Sequence, residues 1–164
     1  MRSEQETNRA ISLYSNMIRR ICFYHLKDGA DTEDVFQNVF LKYLLYNGDF
    51  RDAEHEKAWF IRVSINACKD HLKSLFRHSA VSLEVLAEEA ADMEPNHKEV
   101  LEAVLSLPAK YKDSIYLHYY EGYSAAEIAS ILKSRENTVY SLLSRGRSML
   151  KETLGGDGFD ESDT

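Results

Sequence analysis

Along this chain apolar residues recur at spacings of three and four, and the period-two alternation of a half-buried strand is almost absent. The pattern predicts helices near residues 5–27, 32–46, 55–77, 96–105, 109–120, 124–132 and 135–154, and so an all-α fold. Pro108 suits the first turn of the 109–120 helix, where its missing N–H is no loss. Gly155-Gly156 ends the last helix and releases a polar tail.

One stretch breaks the rhythm. His78 to Pro95, "HSAVSLEVLAEEAADMEP", has a few apolar residues but no sustained stripe among its acids, and reads as a linker. The chain therefore divides into a helical domain at 1–78, a flexible acidic linker at 79–96, a second small helical domain at 97–155, and an acidic tail at 156–164.

Charge sharpens that division. The formal net charge of the whole chain is −7, but residues 1–79 and 98–154 each carry a net of +1. Residues 80–97 hold five acids and no Lys or Arg, and the tail 155–164 adds four acids. Two near-neutral lobes thus carry an acidic tether and tail, and overall acidity does not prevent one face of either lobe from meeting nucleic acid.

Composition excludes several classes. At 44% apolar and 29% charged the chain is globular rather than disordered. It has no apolar run of the roughly 18–20 residues a membrane span needs, and "MRSEQETNRA" lacks the apolar stretch of a secretory signal. A cytoplasmic protein without membrane insertion is expected. Cys22 and Cys68 fit no zinc spacing, and Cys22-x-x-His25 supplies only two ligands, so neither a metal nor a cofactor is expected. The six histidines are scattered. No nucleophile–base pair or phosphate loop is visible, which argues against an enzyme.

Three stretches carry the functional signal. In "GYSAAEIASILKSRENTVYSLLSRGRSML", Ser124 and Glu127 form a capping box, with Tyr123 and Ile128 as its hydrophobic staple. Ile128, Ala129 and Leu132 give the first helix its apolar face, and Val139, Leu143 and Leu150 give one to the next, with Ser134 as its expected N-cap. This is the pattern of a DNA-binding helix-turn-helix, and equally of an αα-hairpin inside a bundle.

The second is "HEKAWFIRVSINACKDHLKSLFR". Ala58, Ile61, Ile65, Cys68, Leu72 and Leu75 make a buried face. On the other side run Trp59, Arg62, Asn66, Lys69, Lys73 and Arg77. Cations can track phosphates, an amide can read a base edge, and an aromatic ring can stack on an unpaired base. A solvated face with Trp59 folded into the core fits the same spacing.

The third, "TEDVFQNVFLKYLLY", shows two apolar faces. Val35, Phe36, Val39, Phe40 and Tyr43 form the core stripe, while Asp34, Gln37, Leu41 and Leu45 align elsewhere. That second line suits a protein partner, or a helix sandwiched between two others.

In this order, "DTEDVFQNVFLKYL", "AWFIRVSINACKDHLKSLFR" and "LPAKYKDSIYLHYYEGYSAAEIASIL…TVYSLLSRGRSML" closely resemble the extracytoplasmic-function (ECF) sigma factors. The likeness spans about residues 8–77 and 98–154. It implies a protein that is not an enzyme, binds the RNA polymerase core through the β′ clamp helices and β flap, and takes it to promoter DNA. An anti-sigma factor is a further candidate partner.

Carried over by residue, the resemblance implies that Asp34, Gln37, Asn38, Leu41 and Leu45 meet core polymerase. The loop Asn47–Glu56, with Phe50 and Arg51, and the face Trp59, Arg62, Asn66, Lys69, Lys73 and Arg77 would hold the separated minus-ten strand and its extruded base. Arg135, Asn137, Thr138, Tyr140, Ser141, Ser144, Arg145 and Arg147 would meet the minus-thirty-five duplex. In the family the connector threads toward the active-centre cleft.

The chain departs from the family at three positions. Tyr140 and Leu142 stand where Lys or Arg is usual, and Lys133 replaces the usual glycine of the turn. A weaker or differently specific upstream contact follows. The rival reading is a sigma-like regulator or adaptor that binds polymerase or another protein without selecting promoters.

Overall fold

The structure is a computed structural model that describes residues 1–76, 102–104 and 106–154, the side chains of residues 75 and 76 excepted. Every regular element among the described residues is helical. The expected acidic linker, the acidic tail and Arg77 lie outside the described residues, as does the Leu75 side chain. The chain divides into two compact units, Met1–Leu86 and Ala87–Thr164.

The first unit holds α1 (Glu4–Leu26), α2 (Gly29–Leu45) and α3 (Ala53–Phe76), each packed on the other two. Short polar side chains start all three. Ser3 accepts the Glu6 N–H at 3.1 Å, Asp28 the Asp31 N–H at 3.1 Å, and Asp52 the His55 N–H at 2.8 Å. The Asp28 cap starts α2 at Gly29, earlier than the hydrophobic pattern alone suggests, because a cap acts before the first apolar residue. Lys27 ends α1 in the left-handed region at φ 58°, with its N–H bonded to the Phe23 carbonyl. Burial lowers the pKa of its ammonium.

The expected stripes supply Val35, Val39, Phe40 and Tyr43 from α2 and Ile61, Ile65 and Cys68 from α3, with Phe36 only half-buried. Ile18, Ile21 and Cys22 from α1 and Phe60 from α3 complete the core. Each large side chain so buried contributes about 1.5–3 kcal/mol. Ala58 and Leu72, at the margin of the α3 stripe, are only half-buried.

A charged residue sits within this core. Glu56, on α3, is only 4% exposed. Arg9 donates to both of its carboxylate oxygens at 2.9 Å, and the Tyr14 and Tyr43 hydroxyls donate at 3.1 and 3.0 Å. These bonds satisfy the carboxylate and tie the three helices together. They also hold the arginine charged, raising its pKa. Burial, reinforced by the adjacent carboxylate, pushes the Tyr14 hydroxyl up to about 12 and raises that of Tyr43.

The second unit contains α4 (Ala109–Tyr119), α5 (Ala125–Leu132) and α6 (Glu136–Leu154), and residues 102–104 are also helical. Pro108 flanks α4 at its start. The capping box forms as expected: Ser124 Oγ accepts the Glu127 N–H at 3.2 Å, and Glu127 accepts the Ser124 N–H at 3.1 Å. Tyr123 and Ile128 are both buried.

Lys133 closes α5 at φ 54°, ψ 47°. A left-handed residue at this point turns the chain into α6. That conformation costs a side-chain-bearing residue roughly 1–2 kcal/mol, and glycine avoids the cost. Helix α6 begins at Glu136, and the Val139 N–H bonds the Arg135 carbonyl at 3.1 Å. The flanking residue is therefore Arg135, not the expected Ser134, whose N–H is engaged by the Ala129 carbonyl at 2.9 Å.

Val139, Leu143, Gly146 and Leu150 form the buried seam of α6. A Cβ on Gly146 would stand 2.9 Å from Ile115 Cγ1 and 3.6 Å from Tyr111 Cβ, so the missing side chain sets how closely α6 approaches α4.

Candidate nucleic-acid interface

The α3 stripe reaches the surface. Asn66, Lys69 and Lys73 are exposed and Arg62 is half-exposed, at successive spacings of four, three and four. The side chains of Arg62, Asn66 and Lys73 make no hydrogen bond or ion pair with a described residue. Three cations and one amide therefore share one solvent-facing edge of the longest helix in the unit. The other edge of α3 is held by the core, so the stripe cannot rotate away.

Trp59 does not share that exposure. It is 8% exposed and packs against Tyr43, Tyr46, Phe50 and Phe60 at ring separations of 5.9, 5.2, 5.8 and 5.2 Å. Of the two readings its spacing allowed, the structure has Trp59 folded into the core, and stacking on an unpaired base would require dismantling this cluster. The sequence stripe includes Trp59 because a residue at the start of a helix can share the helical phase of an exposed edge and still be covered by the preceding loop.

Phe50, in that loop, is half-exposed and stacks on Tyr43 and Tyr46 at 6.3 and 5.6 Å. Arg51 is exposed. The Arg2 guanidinium lies 4.8 Å from the ring centres of both Tyr43 and Phe50, and donates to the Gly48 carbonyl. Beside these groups is an open hollow of about 520 Å³ whose lining includes Arg2, Arg9, Tyr43, Asp49, Phe50 and Glu56. Sequence reasoning missed Arg2 and Arg9 here, since neither lies on a patterned stretch near the loop.

On α2 the second line also emerges. Asp34, Gln37 and Asn38 are exposed, and Leu41 and Leu45 are 53% and 59% exposed. Helix α2 is thus not sandwiched on this side, and an acid, two amides and two leucines form a surface distinct from the α3 edge.

In the second unit, Arg135, Asn137, Thr138, Tyr140, Ser141, Ser144 and Arg145 are exposed on and just before α6. Arg147 stands apart from them. It is half-buried and donates to the Tyr119 hydroxyl at 3.4 Å, so in this structure it ties α6 to α4 rather than projecting outward with the others. Leu142 is half-buried beside the apolar seam.

Cys22 and Cys68 are buried and form no disulfide, and no group of three His, Cys, Asp or Glu among the described residues could hold a metal ion. No helix among the described residues is long and apolar enough to cross a membrane.

Two helical units, one with a cationic edge on its longest helix and the other with a helix-turn-helix, define a two-lobed nucleic-acid-binding architecture. Family models agree lobe by lobe: residues 10–77 match Sigma-70 region 2, and residues 97–150 match Sigma-70, region 4. The chain belongs to the sigma-70 family of RNA polymerase sigma factors, in its ECF group.

Among curated relatives, it is 28% identical to the ECF RNA polymerase sigma factor SigM of Mycobacterium tuberculosis over 87% of this chain and 74% of that protein. It is 27% identical to the RNA polymerase sigma factor SigV of Bacillus subtilis, with 82% of each chain covered. Among solved structures, the sigma factor RpoE of Bartonella quintana, bound to the anti-sigma factor NepR, superimposes with a TM-score of 0.75 at 20% identity. That match covers 93% of this chain and 99% of the other. CnrH, in complex with the cytosolic domain of CnrY, gives a TM-score of 0.61 at 20% identity, covering 95% and 92%. These two likenesses speak to the fold.

Proposed function

We propose that this sigma factor engages promoter DNA through two separate surfaces and core polymerase through a third. The α3 edge of Arg62, Asn66, Lys69 and Lys73 holds the separated minus-ten strand. Its cations follow phosphates, and the Asn66 amide reads a base edge. The hollow beside Phe50 and Arg2 receives an extruded base between an aromatic ring and a guanidinium. The exposed face of α6 enters the major groove of the minus-thirty-five element. Asp34, Gln37, Asn38, Leu41 and Leu45 dock on the β′ clamp helices, and the upstream lobe meets the β flap.

The observation that carries this reading is the shared exposure of Arg62, Asn66, Lys69 and Lys73 on a helix whose opposite face is locked in the core. The domain scheme that goes with it is a first lobe at 1–78, an acidic tether at 79–96, a second lobe at 97–155 and an acidic tail. No catalytic group is needed in this chain, because the polymerase supplies the chemistry, and the protein works in the cytoplasm where that enzyme acts. An anti-sigma factor is a fitting restraint, as the two solved relatives are each bound to such a protein or to a protein's cytosolic domain.

A pull-down with purified core polymerase, followed by transcription from a promoter library, tests the reading. Core binding with transcripts from a defined promoter set is the expected result. Core binding without promoter-specific transcripts would favour an adaptor that has lost promoter selection.

A further inference from the structure

The solvent face of α6 has an unusual make-up. At about 100° per residue, the direction opposite the Val139–Leu143–Gly146–Leu150 seam is occupied by Asn137, Ser141, Ser144 and Ser148, all exposed. This ridge is uncharged and its side chains are short. On one flank stands Arg145, also exposed. On the other stands Tyr140, which is 56% exposed. Among the described residues its ring contacts no other ring and its hydroxyl has no hydrogen-bond partner.

A short ridge lets a helix axis come close to the floor of the major groove, so a long flanking side chain reaches base edges rather than only phosphates. The apolar group that DNA displays in the major groove is the C5-methyl of thymine, and an aromatic side chain is a suitable partner for it. A cation in place of Tyr140 would add attraction to every DNA sequence equally. A tyrosine ring exchanges that general attraction for selectivity.

Building on the promoter-reading role proposed above, we infer that Tyr140 is a specificity-determining residue that packs its ring on a thymine methyl within the upstream element. The upstream preference of this sigma factor then contains a thymine that depends on Tyr140, and its upstream binding has a shallower salt dependence than that of a variant carrying lysine there.

The test uses the full chain assembled with core polymerase and promoter duplexes randomised across the upstream element. Wild type is expected to enrich a thymine at one position. Tyr140→Phe should keep that preference, and Tyr140→Ala should lose it at unchanged core affinity. On the enriched duplex, replacing that thymine with deoxyuridine removes only the methyl. Wild-type binding should then weaken about fourfold, as for one buried methyl group, while binding by Tyr140→Ala stays the same. Tyr140→Lys should lose the thymine preference and steepen the salt dependence by about one unit.

The outcomes separate the two claims. Enrichment of an upstream sequence whose thymine preference survives Tyr140→Ala, or whose binding ignores the uracil exchange, overturns the role of Tyr140 and leaves promoter reading intact. Equal loss in the Phe and Ala variants overturns it too, by assigning the effect to the hydroxyl. Weakened core binding with intact base preference would place the ring on polymerase instead. Wild-type protein that enriches no upstream sequence removes both claims.

Discussion

Arg9 and Glu56 are separated by 47 positions, yet one guanidinium nitrogen of Arg9 lies 2.9 Å from each oxygen of the buried carboxylate. Two tyrosine hydroxyls complete the shell. This knot stands at the start of α3, beneath the loop that carries Phe50 and Arg51. It fixes where the cationic edge of α3 begins relative to α1 and α2.

Removing the carboxylate leaves Arg9 and Tyr43 without this acceptor and Tyr14 with only the Ala53 carbonyl at 3.4 Å. Glu56→Ala is expected to destabilise the first lobe by about 1–3 kcal/mol, because buried tyrosine hydroxyls lose their carboxylate while the half-exposed Arg9 is taken up by solvent. Urea unfolding followed by Trp59 fluorescence measures this, since Trp59 reports on the adjacent aromatic cluster. A loss below about 1 kcal/mol would mean that water replaces the carboxylate without strain.

The same knot predicts an alkaline weakness. The Tyr14 hydroxyl is raised to about 12 in the folded chain, against 10 for a free tyrosine. A raised value contributes stability that is complete below pH 10 and is lost as pH climbs through 12. Wild type should therefore lose about 2–3 kcal/mol relative to Tyr14→Phe across that window. Unfolding curves for the two proteins at pH 8, 10 and 12 give the comparison, and parallel behaviour would contradict it.

The helix-turn-helix carries a local strain that can be relieved. Lys133 holds a left-handed conformation, and its side chain is exposed. Lys133→Gly is expected to stabilise the second lobe by about 0.5–1 kcal/mol, the removed backbone penalty less the added freedom of the unfolded chain. Thermal unfolding should show the gain. Unchanged or reduced stability would show that the lysine side chain compensates for its backbone.

Much of this architecture was legible in the sequence because local rules act over three or four residues. Ser124 and Glu127 announced a capping box, and the structure contains it. The α3 edge was readable for the same reason, since helical phase alone puts Arg62, Asn66, Lys69 and Lys73 on one side. What escaped depended on distant neighbours. Trp59 shares that phase and could be read either as exposed or as folded into the core; the loop before α3 decides it by folding Tyr46 and Phe50 over the ring. Arg147 shares a helix with exposed Arg145, but Tyr119 from α4 captures it. Glu56 was read only as the end of the Asn47–Glu56 loop, and nothing nearby in the chain disclosed partners on two other helices. The Arg2 and Arg9 contributions to the hollow were hidden by the same distance.

The central claim is that the exposed edge of α3 grips unpaired DNA, and Asn66 stands in the middle of it. The most direct measurement compares Asn66→Ala with wild type in holoenzyme, using permanganate reactivity of thymines across the minus-ten region alongside core-binding affinity. The account predicts a marked loss of reactive, unpaired thymines at unchanged affinity for core. Normal strand opening by Asn66→Ala would contradict it.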